Sequence, residues 1–155
     1  MSRANVAGHP VHPMLVTIPI GLWIFSLVSD LVYASTGDAR WATTAYFTLG
    51  GGIVGALLAA LPGFVDLLAL REGRERRTGL THMSLNLAIV VVQAVNFWLR
   101  GQDGNETLPL VLSVVAVVAL AVSGWLGGQL VHVLGVTQPG RQGASSSPER
   151  VPPRH

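Results

Sequence analysis

The chain has 155 residues, half of them apolar and only 12% charged, with a mean hydropathy of +0.50; it is too apolar for an ordinary soluble domain, and a bilayer is its natural solvent. It has no cysteine, which excludes disulfides, iron–sulfur clusters, thiolate-bound zinc and covalently attached c-type haem. All ten basic residues are arginine and lie outside the apolar stretches, so the pI near 9.9 reports membrane topology and no nucleic-acid partner.

Four apolar stretches, residues 14–33, 43–70, 80–99 and 108–133, are long enough to cross a hydrocarbon core that needs about 20 helical residues. No small-residue cleavage site follows the first, which is read as a retained helix and not a signal peptide. Short connections at 34–42, 71–79 and 100–107 imply antiparallel neighbours. The fold class is therefore all-α: an integral membrane bundle of four transmembrane helices with up-down topology, in one domain over residues 1–136. The tail, 137–155, is rich in Gly, Pro, Ser and Arg and is expected to be disordered.

Arg3, Arg71, Arg74, Arg76, Arg77, Arg141, Arg150 and Arg154 fall on the side that holds both termini, against Arg40 and Arg100 on the other. By the positive-inside rule both termini are cytoplasmic. Tyr33, Trp41 and Trp98 map to the opposite interface, where amphipathic rings collect.

This topology gathers His9, His12, His82 and His132 at the cytoplasmic level, with Asp66 about 6 Å below that end of the second span at a rise of 1.5 Å per residue. Ionisable groups at such depth face the bundle or water. Helical spacing gives each span one polar or small-residue face: Pro19, Trp23, Ser26 and Asp30; Gly52, Gly55, Ala59 and Gly63 leading to Asp66; His82, Asn86, Gln93 and Asn96; and Gly124, Gly128 and His132. Pro19 and Pro62 free the carbonyls of Leu15 and Leu58 and are placed to kink their helices beneath the histidines. The run Gly50-Gly51-Gly52 lacks a Walker lysine and is read as helix packing.

The segment Gly8-His9-Pro10-Val11-His12-Pro13-Met14-Leu15-Val16, continuing to Ile18-Pro19-Ile20-Gly21-Leu22, resembles the signature of an uncharacterised bacterial membrane family, domain of unknown function 2231, over most of residues 8–136. Gly79-Leu80-Thr81-His82 is similar to that family's histidine motif ahead of the third span. His132 departs from the pattern, which places an aromatic residue there. The resemblance implies a multi-pass protein of the bacterial inner membrane, and the joining of some relatives to Rieske-type redox modules leans toward electron transfer.

Three functions stand open. One is a single non-covalent haem b on the cytoplasmic side, with axial imidazoles from His82 and His12, or His132 as the alternative, Asn86 beside them, and Arg74 and Arg77 near the propionates. This carrier would need a redox partner to move electrons across the bilayer. The second is a divalent-metal or proton site built from His9, His12, His82 and Asp66. The third is a cofactor-free structural or assembly protein, in which His12 caps the first helix ahead of Pro13 and His82 opens the third. A homo-oligomer is compatible with each. No nucleophile–base pair and no HExxH motif points to an enzyme acting on a substrate.

Overall fold

The computed structural model describes residues 5–6, 9–70, 72–102 and 107–133, with the side chains of all but 5, 6, 132 and 133. A two-residue antiparallel ladder, β1 (Asn5–Val6) with β2 (His9–Pro10), leads into five helices: α1 (Val11–Leu15), α2 (Thr17–Thr36), α3 (Ala39–Leu68), α4 (Arg74–Arg100) and α5 (Thr107–Gly128). A π-helical turn, Gln129–Val133, extends α5. Among the described residues, α1 with α2, and α3, α4 and α5 with its extension, make four helices long and apolar enough to span a membrane. The tail 137–155 lies outside the described residues.

Local chemistry sets the joints. Pro19 has no N–H to give to Leu15, and the first span breaks at Val16, between α1 and α2. Gly37 closes α2 in the left-handed region, φ +70, and Asp38 caps α3 by accepting from the Arg40 backbone N–H. The same Asp38 carboxylate pairs with the Arg40 guanidinium, which holds it below the usual carboxylate range. The first connection is thus two residues long, where 34–42 was expected as a loop. At the second, Gly73 turns at φ +113 and α4 starts at Arg74. Residues 74–79 are helical because hydropathy marks where a helix is wet, not where it ends.

The spanning helices close a ring in which α2 packs on α3, α3 on α4, α4 on α5 and α5 on α2, so α2 lies diagonal to α4. Each contributes one residue to the apolar centre: Trp23, Leu49, Ile89 and Ala116. Large apolar side chains such as Phe25, Leu57, Val91 and Val118 point outward, as a lipid-facing surface requires, since lipid tails are as apolar as the core. The Trp23 indole donates to the Leu49 carbonyl, 3.3 Å away, over Gly52, where an added Cβ would collide with the indole ring. Gly52→Ala is expected to cost about 1–3 kcal/mol of overpacking. Gly21→Ala, whose Cβ meets nothing within 4 Å, is the control. Thermal unfolding in detergent should separate the two, and equal midpoints would contradict this packing.

Candidate functional site: two opposed imidazoles

His12 leaves the short α1 and reaches across to α3, where its Nδ1 lies 2.8 Å from the Ala59 carbonyl. Gly63, one turn farther along α3, makes room for the ring, since a Cβ there would come within 2.8 Å of it. His82, in the third turn of α4, repeats the arrangement on α5. Its Nδ1 is 3.0 Å from the Ser123 carbonyl and 3.1 Å from Ser123 Oγ, with Gly127 one turn farther on, its Cβ position 3.2 Å from the ring. A carbonyl oxygen only accepts, so both Nδ1 atoms donate and each neutral ring carries its lone pair on Nε2. Asn86 Nδ2 donates at 3.1 Å to Nε2 of His82 and at 2.8 Å to the His82 carbonyl, which agrees with that tautomer. The two rings stand in an edge arrangement, with centroids 6.4 Å apart and planes at 86°.

The opposite end of the bundle holds a buried polar network. Arg100 donates from Nη1 and Nη2 to the two carboxylate oxygens of Asp30, at 2.7 and 2.6 Å. The side chains are only 11% and 9% exposed. Arg100 also donates to Asn96 Oδ1 and Ser113 Oγ, and Ser113 Oγ donates to Asp30. Asn96 in turn donates to Gln93. Three helices, α2, α4 and α5, are tied there by one guanidinium.

A family model described as "Predicted membrane protein (DUF2231)" matches residues 8–139. The chain belongs to this family. No curated protein and no solved structure gives a significant match. Within this member of the family, the histidine-bearing segments before the first and third apolar stretches supply the two rings that meet.

Of the residues singled out in the sequence, the fold brings together His12, His82 and Asn86. His9 is exposed in β2, and Asp66 is half-buried in the last turn of α3. Among the described residues, no three His, Cys, Asp or Glu side chains are grouped to hold a metal ion. Arg74 and Arg77 are exposed in the first turn of α4. His132 lies in the π-helical turn, with its side chain outside the described set, as is Arg71.

Three expectations are corrected. The inward stripe of α5 is Ser123 and Gly127, not Gly124 and Gly128. Gly124 is exposed, and a Cβ at either Gly124 or Gly128 meets nothing within 4 Å. One residue is about 100° of helix rotation, so the small-residue pattern was read one position out of register. His12 does not cap a helix: the N-cap of α1 is Pro10, without a side-chain bond, and the imidazole bonds the neighbouring span instead. His82 does not open its helix, which begins two turns earlier. Sequence reasoning also missed the Asp30–Arg100 pair by assigning Arg100 to a loop. The available signal was Asp30 on a buried stripe at the same membrane level as one of only two arginines on that side.

Proposed function

We propose that the bundle holds one non-covalent haem b between His12 and His82 and works as a membrane electron carrier. The supporting observation is the separation of the two anchored rings, 6.4 Å between centroids. Two imidazoles that shared one metal ion at bonds of about 2.0–2.1 Å would have ring centres separated by a distance of this order. The chain's residues fit the group: both Nδ1–H are tied to carbonyls, the usual outer-shell device that orients a ligating imidazole, and both Nε2 carry lone pairs. When bound, haem supplies reversible one-electron chemistry. His12 and His82 would hold it, the carbonyls of Ala59 and Ser123 would orient the rings, and Asn86 would have to give up its bond to Nε2 of His82. Arg74 and Arg77, exposed in the first turn of α4, would supply positive charge for the propionates.

One haem near one surface serves a partner on that surface, taken as the cytoplasmic side of the bacterial inner membrane. A reporter fused at the C-terminus is expected to read as cytoplasmic, and one inserted between residues 101 and 105 as external; the reverse pattern would move the site to the other face. The chemical test is an absorption spectrum of protein purified in detergent from haem-replete cells. A Soret band lost or shifted in His12→Ala and in His82→Ala, with the protein still in the membrane, is the expected result. A blank wild-type spectrum on folded, haem-replete material would overturn the haem reading.

A specific observation favours a second reading, in which the imidazoles only fasten spans together, since each already ties two helices through a carbonyl. In that case both histidine variants lose thermal stability and no spectrum changes.

A further inference from the structure

Much of the buried face of the first half of the chain recurs in the second half at fixed intervals. The buried positions Pro19, Trp23, Ser26 and Asp30 of the first span recur 70 residues on as Ile89, Gln93, Asn96 and Arg100, all buried except the 11%-exposed Arg100 side chain. His12 and His82 are separated by the same interval. In the following helix Ala45, Leu49, Gly52 and Ala59 recur 64 residues on as Pro109, Ser113, Ala116 and Ser123, again all buried. Ala59 and Ser123 are the two carbonyls that hold the imidazoles, and Gly63 and Gly127, also 64 apart, make room for them. The residue types at equivalent positions mostly differ, so what repeats is the geometry.

Equivalent positions also touch each other at two levels: His12 meets His82, and Asp30 meets Arg100. Between the halves, α3 packs on α4 and, correspondingly, α5 on α2. Contact of a residue with its own equivalent marks a two-fold interface, and two such contacts at opposite ends of the bundle place the axis along it.

We propose that the chain is a duplicated two-helix hairpin whose copies close on each other about this axis, and that the inner face of each hairpin fits a second copy bearing the opposite charge at the position of Asp30 and Arg100. Two copies of the first hairpin would oppose two carboxylates there, and two copies of the second would oppose two guanidiniums. Like charges facing one another inside a membrane bundle reject the pairing, and opposite charges select it. The proposal is independent of the haem reading.

Two experiments on the full chain test it without any cofactor. Asp30→Arg and Arg100→Asp should each lower the detergent unfolding midpoint by ten degrees or more, or prevent accumulation. The double variant Asp30→Arg with Arg100→Asp should recover most of the loss, because the positions exchange under the two-fold. Recovery is incomplete because Ser113, which supports Arg100, has Leu49 as its equivalent. A double variant no better than either single one overturns the proposal.

The second experiment is gentler. Val16 is the equivalent of Asn86, and its N–H donates to the His12 carbonyl in a helical turn. In nitrogen-15 spectra of the imidazoles, Asn86→Val should shift the Nε2 signal of His82. Adding Val16→Asn should shift that of His12 toward the value His82 had before. An unmoved His12 signal counts against equivalent hairpins.

Discussion

Arg100→Met is expected to unfold the protein in detergent at temperatures where the parent chain is intact. The guanidinium is the centre of the buried network, bound to both Asp30 oxygens, Asn96 and Ser113. Removing it strips the Asp30 carboxylate, at 9% exposure, of its guanidinium partner and, among the described residues, leaves the Ser113 hydroxyl donating to it. Breaking one side of a buried pair in this way costs about 3–5 kcal/mol, a large share of the 5–15 kcal/mol or so that holds a domain folded. Replacing both partners has a different outcome. Asp30→Leu combined with Arg100→Met removes the stranded charge, and apolar replacements of buried pairs are often close to neutral. The double variant should therefore be clearly more stable than Arg100→Met alone. Thermal unfolding of the three purified proteins in one detergent checks the order, and a double variant that is the least stable would show that the network contributes more than its charges cost.

Gly63→Ala should release the His12 ring. The new methyl would lie 2.8 Å from both Cε1 and Nδ1 of the imidazole, so the ring must swing off the Ala59 carbonyl, which it now meets at 2.8 Å. On the proposed haem reading, loss of such an outer-shell bond would lower metal affinity by about 10–100-fold, and haem retained per protein would fall accordingly. At Gly127 the closest approach is 3.2 Å, a contact that a small shift of His82 relieves, so Gly127→Ala should have a milder effect. Gly128→Ala meets open space and should change nothing. The order Gly63, Gly127, Gly128 is read from the Soret absorbance per protein after identical purification. An effect at Gly128 as large as that at Gly63 would show that the three positions differ only in helix propensity.

Much of the architecture is legible in the chain itself. A span needs only length and apolarity, both one-dimensional properties, so four helices, their alternating direction and the membrane setting follow from residues 14–133 alone. The inward faces of three spans were also legible, because Trp23 with Ser26, Gly52 with Ala59 and Gln93 with Asn96 carry their periodicity in residue type. The fourth face was not. Gly124, Gly127 and Gly128 are chemically identical and about 100° of rotation apart per residue, and which of them faces inward depends on the position of the His82 ring. That ring is placed by another helix.

The site divides in the same way. His12 and His82 were recognisable as a pair from their membrane level and from the diagonal placement of their spans. Only the tertiary structure decided that both rings donate through Nδ1 to carbonyls of the next helix, because those carbonyls belong to Ala59 and Ser123, whose side chains announce nothing. The Asp30–Arg100 pair was hidden because a loop arginine and a membrane aspartate 70 residues apart meet only when the ring of helices closes. Local pattern determined which segments enter the membrane and which faces can turn inward. The rotation of each helix about its own axis, and hence every contact made by backbone or by charge, was decided by packing against its neighbours.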